Sequence, residues 1–195
     1  MGILKKSLLL LSILGVTSFA LAQDSVIKER TKLFENGKDI GFITILTPVD
    51  IVKKQADKVT IKVKGYRLEN YPQMILRDIK RKELYAEFKD EKSSNESFKT
   101  VKEHEDDYGE IWHEVEGVFT IDSKYIAKDP ANLKLKAKKT YEQSCSMCHH
   151  LPASNAYTVN QWPQQIESMM EQVTLDPHTK NLIIKYLQQH AADSK

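Results

Sequence analysis

Cys145-Ser146-Met147-Cys148-His149 is the stretch of the sequence best equipped for chemistry. Thiols with two residues between them match the separation of the vinyl groups of a haem, and each can add across one vinyl to form a thioether. A histidine directly after the second thiol then lies beneath the iron and becomes an axial ligand. Cys145 and Cys148 are therefore the expected covalent anchors of one haem c, and His149 the expected proximal iron ligand. The chain has 2 cysteines, both in this motif. A thioredoxin-like redox pair normally opens a helix after a strand, whereas a helical pattern precedes the motif here. A zinc site needs two further ligands, for which His150, His178 and His190 are the candidates.

The sixth iron position separates electron transfer from ligand binding. A methionine thioether favours reduced iron and raises the potential. Met169 and Met170 follow the motif on one helical segment. Met169 shares a stripe with Trp162, Ile166 and Val173, so it is the expected distal ligand, with Met170 as the alternative. Both could instead be core residues, since methionine fills irregular gaps. A histidine or an open position remains the other possibility. His150 follows the proximal ligand too closely to reach the opposite face, and His178 and His190 read as surface residues. Tyr141 and Trp162 could edge the haem or pack as ordinary aromatics.

The elements around the motif follow from periodicity. Leu133, Ala137 and Tyr141 lie four apart and lead into Cys145, which predicts a helix beginning near Asp129-Pro130. A second helix is expected from about Trp162. A third follows Asp176-Pro177 and carries Leu182, Ile183, Tyr186 and Leu187. From about Ser25 to Ile126 the pattern is instead that of strands. Val59, Ile61 and Val63 alternate with lysines and Thr60, and similar alternation recurs at Leu84 to Phe88 and Ile111 to Glu116. Several short strands with close turn signals predict a small barrel or sandwich. Asp90 to Asp107 is charged, has little apolar content and reads as a long exposed hairpin loop.

Other groupings carry less. His104, Asp106, Asp107 and Glu110 read as a solvated loop rather than a metal site. His113-Glu114-Val115-Glu116-Gly117 has Gly117 where a zinc protease motif requires its second histidine. Lys134, Lys136, Lys138 and Lys139 crowd one helix, as a solvated face or as a means of steering an acidic redox partner. No phosphate-cradling glycine loop or serine nucleophile motif is present.

Lys5 and Lys6, the apolar run from Ser7 to Phe19, and Ala20-Leu21-Ala22 have the pattern of a secretory signal peptide, with cleavage expected after Ala22. An uncleaved segment would anchor the chain to the membrane, although the run is short for a bilayer span. The two lysines account for the excess of 29 Lys and Arg over 27 Asp and Glu. A balanced remainder gives no reason to expect nucleic acid as a partner. The expected location is the periplasm, and the expected organisation is signal peptide 1–22, β domain 23–128 and haem domain 129–195.

Tyr141 to His149, Asn160-Gln161-Trp162-Pro163, Met169 and Tyr186-Leu187 together resemble the C-terminal monohaem domain of TorC-type cytochromes. Gly41 to Val49 and Trp112 to Val118 are similar to the bacterial SH3-like β segment that precedes that domain. The resemblance implies an α+β chain: a small N-terminal SH3-like β-barrel or sandwich followed by a compact all-α cytochrome c haem domain. It implies an electron carrier rather than an enzyme, with His149, Cys145, Cys148 and Met169 matching the family's haem residues. TorC-type proteins feed periplasmic molybdenum-containing trimethylamine N-oxide reductases, so an N-oxide or S-oxide reductase is the implied acceptor. Those proteins begin with a membrane-anchored multihaem domain that oxidises quinol, and this chain carries one Cys-x-x-Cys-His. The implied donor is therefore a membrane quinol dehydrogenase or another cytochrome. From a different class, a haem-bearing sensing or partner-binding module is the competing expectation.

Overall fold

The alternation read at Val59, Ile61 and Val63 is a physical one: all three are buried, while Lys58 is exposed and Thr60 and Lys62 are half-buried. In the computed structural model, which describes residues 25–146, 150–170 and 172–195, they sit on strand β5 (Lys58–Leu68). The predicted signal peptide (1–22) and the expected haem residues Cys148 and His149 lie outside the described residues. Before β5 come β1 (Ser25–Val26), β2 (Thr31–Glu35), β3 (Lys38–Ile43) and β4 (Pro48–Gln55). After it come β6 (Tyr71–Leu76), β7 (Leu84–Phe88), β8 (Phe98–Glu105) and β9 (Ile111–Asp122).

The strands make one antiparallel sheet in the order β1-β4-β5-β6-β7-β3-β2, with β9 also on β5 and β8 outside β9. The sheet is not a closed barrel, which corrects the SH3-like barrel or sandwich expected from the sequence. The cause is the length of β5. One edge of this 11-residue strand serves β4 over its first half and β6 over its second. Its other edge pairs with β9 from Lys58↔Asp122 to Leu68↔Trp112. The sheet branches at β5 and ends on β1, β2 and β8 as edges. Its core face packs Ile27, Leu33, Ile43, Ile61, Ile75 and Phe88 into one cluster.

The stretch from Asp90 to Asp107 is not a loop throughout. Helix α1 (Glu91–Ser97) starts where the Asp90 carboxylate accepts the Ser93 N–H at 2.7 Å. β8 then pairs with β9 in spite of exposed Lys99, Val101 and Lys102. An edge strand needs only its backbone bonds on one side, and charged side chains there discourage pairing with other chains.

Three further helices follow, near the predicted positions: α2 (Pro130–Cys145), α3 (Trp162–Met169) and α4 (Pro177–Gln189). Each has a proline in its first turn, where the missing N–H costs nothing. Asp129 caps α2 through the Asn132 N–H at 2.9 Å, and Asp176 caps α4 through that of Thr179 at 3.0 Å.

These helices do not form a compact all-α domain. Their core holds Ala137, Tyr141, Trp162, Ile166, Leu182 and Leu187, but also Val26, Ile45, Leu46 and Ala127 from the strand region. Sixteen, eight and thirteen residues of helix are too little to enclose an apolar interior unaided, so the sheet supplies a wall. A polar clasp seals the junction. Glu83, wholly buried before β7, accepts from Lys185 Nζ at 3.0 Å and Gln189 Nε2 at 3.1 Å. Arg77 and Arg81 donate to the Ser194 carbonyl at 2.7 and 3.2 Å, and Asn160 bonds both Lys80 O and Lys82 N.

Candidate functional site

Ala137, Tyr141 and Cys145 recur every four residues, so α2 turns all three into the second core and ends on the first cysteine of the motif. Burial pushes the Cys145 thiol up from its usual pKa. Without haem, this burial keeps the thiol protonated at neutral pH. The chain beyond the motif is held against this helix. Tyr141 Oη donates to Pro152 O at 2.8 Å, and Trp162 Nε1 donates to Ser154 O at 3.0 Å. Trp162 is fully buried and meets Tyr141 and Tyr157 edge-on, with centroids 6.1 and 5.0 Å apart. Val159 N donates to Asp193 Oδ1 at 2.7 Å, and Gln188 Nε2 to Val159 O at 3.0 Å, which ties the same segment to the end of α4.

This bracing frames a cavity of about 280 Å³. Cys145 lines it from the end of α2, and Gln165, Ser168 and Met169 line it from α3. Pro152, Tyr157 and Val173 complete an apolar part of the wall. A thiol and a thioether thus border one partly apolar cavity from two different helices. Of the haem residues expected from the sequence, the two described ones therefore meet at one cavity, and the apolar part of its wall suits a haem edge. Met170 is placed differently. It caps α3, with its N–H on Ile166 O and Glu167 O at 3.1 Å, and packs against the core without lining the cavity.

The remaining sequence candidates separate clearly. His178 and His190 are exposed, and His190 Nδ1 lies 2.7 Å from Tyr186 O. The acidic group after His104 is a turn: Asp106 accepts from the Tyr108 and Glu110 amides and from Trp112 Nε1, at 2.9 to 3.0 Å. Among the described residues no group of three or more His, Cys, Asp and Glu is arranged to hold a metal ion.

Sequence reasoning missed Glu83, Lys185 and Gln189, which position α4 and through it the cavity. Lys185 carried a faint signal, since it falls inside the apolar run Leu182 to Leu187 where a cation needs a partner. Glu83 sits in a charged stretch and had none.

No curated protein and no solved structure matches the chain. One family model does, that of the TorC third cytochrome c domain, over residues 15–126. The match spans β1 to β9 and ends before α2, so the sheet carries the likeness, and the matched part contains no cysteine. Covering more than half of the 195 residues, that match makes this chain a member of the TorC third cytochrome c domain family.

Proposed function

We propose that the chain is a periplasmic monohaem c-type cytochrome that carries single electrons to a molybdenum-containing N-oxide or S-oxide reductase. Membership of a cytochrome c domain family implies haem binding and electron transfer rather than catalysis. The covalent attachment of one haem at Cys145 and Cys148, with His149 proximal and Met169 distal, is our reading of the motif and of the cavity beside it. One observation carries it: Cys145 and Met169, expected from sequence spacing to hold opposite parts of one group, border the same cavity. Met170 does not, which favours Met169 as the distal ligand.

Bound haem iron would supply a one-electron couple there. The protein's part is to anchor, orient and exclude water. The buried end of α2 holds one thiol in an apolar wall. Tyr141 and Trp162 pin the returning segment by hydrogen bonds to Pro152 O and Ser154 O. Export after Ala22 would bring the chain to the periplasm, where a membrane quinol dehydrogenase or another cytochrome would serve as donor.

The absorption spectrum of the ferric holoprotein tests the reading, compared with Met169→Ala and Met170→Ala. A thioether-to-iron charge-transfer band lost only in Met169→Ala is the expected result. Absence of that band in the parent protein, with rapid carbon monoxide binding on reduction, would replace electron transfer with a sensing role.

A further inference from the structure

The chain's 29 cationic and 27 anionic side chains nearly balance, but the lysines are not evenly spread. Two adjoining hollows, of about 310 and 670 Å³, flank the segment Ser123 to Lys128 and share Ser123, Ile126, Ala127 and Lys128 in their walls. They adjoin across that segment, where the end of β9 passes into α2, and are taken together as a trough. Its walls carry Lys28, Lys54, Lys58, Lys124, Lys128 and Lys136, against a single carboxylate, Asp129. Asp129 is already engaged as the cap of α2. Lys58 and Lys124 share Asp122, whereas Lys28, Lys54, Lys128 and Lys136 have no carboxylate partner among the described residues. Between the lysines lie Ile51, Val59, Ile126 and Leu133.

Fixed cations around a concave, partly apolar floor concentrate positive potential and attract an anion that also carries apolar groups. A flat anionic surface reaches a trough poorly. An extended acidic chain segment fits it, with carboxylates on the lysines and apolar side chains on the floor. The trough is also remote from the cavity. Its wall takes α2 from Pro130 to Lys136, and Cys145 ends that helix, about 13 Å further along the axis at 1.5 Å per residue.

We propose that this trough binds an acidic, partly apolar segment of a partner protein, at a site separate from the face that exchanges electrons. Such a site would tether the partner while leaving the Cys145–Met169 end free. The binding site itself stands on the sheet-to-helix junction; that it is separate from the electron-exchanging face rests on the proposed haem site.

The test is fluorescence anisotropy at low salt with the holoprotein and a short fluorescein-labelled peptide of Glu, Asp and Leu. Two triple variants are compared: Lys28→Glu/Lys128→Glu/Lys136→Glu in the trough, and Lys92→Glu/Lys99→Glu/Lys102→Glu on α1 and β8. Both change the net charge equally. The trough variant is expected to weaken binding at least about ten-fold and the other less than about three-fold. Equal losses in the two would overturn the proposal, since net charge alone would explain them. Trough-dependent binding of phosphatidylglycerol vesicles without peptide binding would overturn it in favour of a membrane surface. Unchanged circular dichroism and visible absorption in both variants show that fold and haem are intact, which separates this outcome from any failure of the haem assignment.

Discussion

Glu83→Ala removes the counter-charge from a lysine that is almost wholly buried. The carboxylate is fully buried, and Lys185 is 4% exposed. In the variant the ammonium keeps the Leu84 carbonyl and the face of Tyr85, 5.0 Å from its ring centroid, but loses the one carboxylate it pairs with among the described residues. Gln189 Nε2 loses one of its two acceptors and keeps Leu46 O at 3.2 Å. Burial already pushes the Lys185 pKa down, against the opposing pull of Glu83. Leaving one member of such a pair uncompensated costs about 3–5 kcal/mol. For a chain of this size that lowers the melting temperature by on the order of 10 °C. Urea unfolding of the holoprotein, followed by circular dichroism for the sheet and by Trp162 fluorescence in a Trp112→Phe background, measures it. The helical core should be lost first in Glu83→Ala, because Glu83 ties α4 to the sheet. The double variant Glu83→Leu/Lys185→Met should recover most of the loss, since a buried ion pair is often replaceable by apolar side chains at little net cost. A loss below about 1 kcal/mol for Glu83→Ala, or a double variant no more stable than the single one, would refute the clasp.

Two further outcomes follow from local geometry. Gly65 lies where β5 passes close to β6, and a Cβ there would meet Leu76 O at 2.6 Å and Ile75 Cγ2 at 2.7 Å. Gly65→Ala should therefore cost about 1–3 kcal/mol in urea unfolding, and an unchanged midpoint would mean that the strands separate freely. The Cys145 thiol is raised by burial, so the folded state holds its proton to higher pH than the unfolded chain does. Its contribution to stability is complete below the unfolded thiol pKa and is lost as pH rises through the folded one. In haem-free Cys148→Ser protein, iodoacetamide should modify Cys145 more slowly at pH 8 than in urea, with the gap closing in alkali. Equal rates would show the thiol to be exposed.

The parts of the fold that were legible are those where side-chain period and burial agree. Trp162 and Ile166, and Leu182, Ile183 and Leu187, fall on single helical faces and are buried there. Val59 to Val63 alternates because one face of β5 packs on the core. β8 was not legible, since an edge strand bearing Lys99 and Lys102 has no apolar face to advertise it. α1 was hidden in the same polar stretch, although Asp90 supplies its cap. The union of sheet and helices into one interior escaped the sequence for a different reason. Val26, Ile45 and Leu46 lie about a hundred residues before the helices they cover, and no local period reports such a contact. At the site, the motif and Met169 were readable from type and spacing, while the cavity wall made by Tyr157 and Val173 required the tertiary structure.

The Glu83–Lys185 pair also constrains how this sequence can change over time. The two positions lie 102 residues apart, and they are not equivalent: without Glu83 the Lys185 ammonium is buried uncompensated, whereas without Lys185 the Glu83 carboxylate keeps Arg77 Nη1 at 3.6 Å and the Gln189 amide. An inherited change at Glu83 is therefore tolerated only with a matching change at Lys185, or after stabilising substitutions elsewhere have made room for the loss. Among descendants of a common ancestor the two positions should switch together from charged to apolar, and that paired exchange would mark the lineages in which sheet and helices still share one interior.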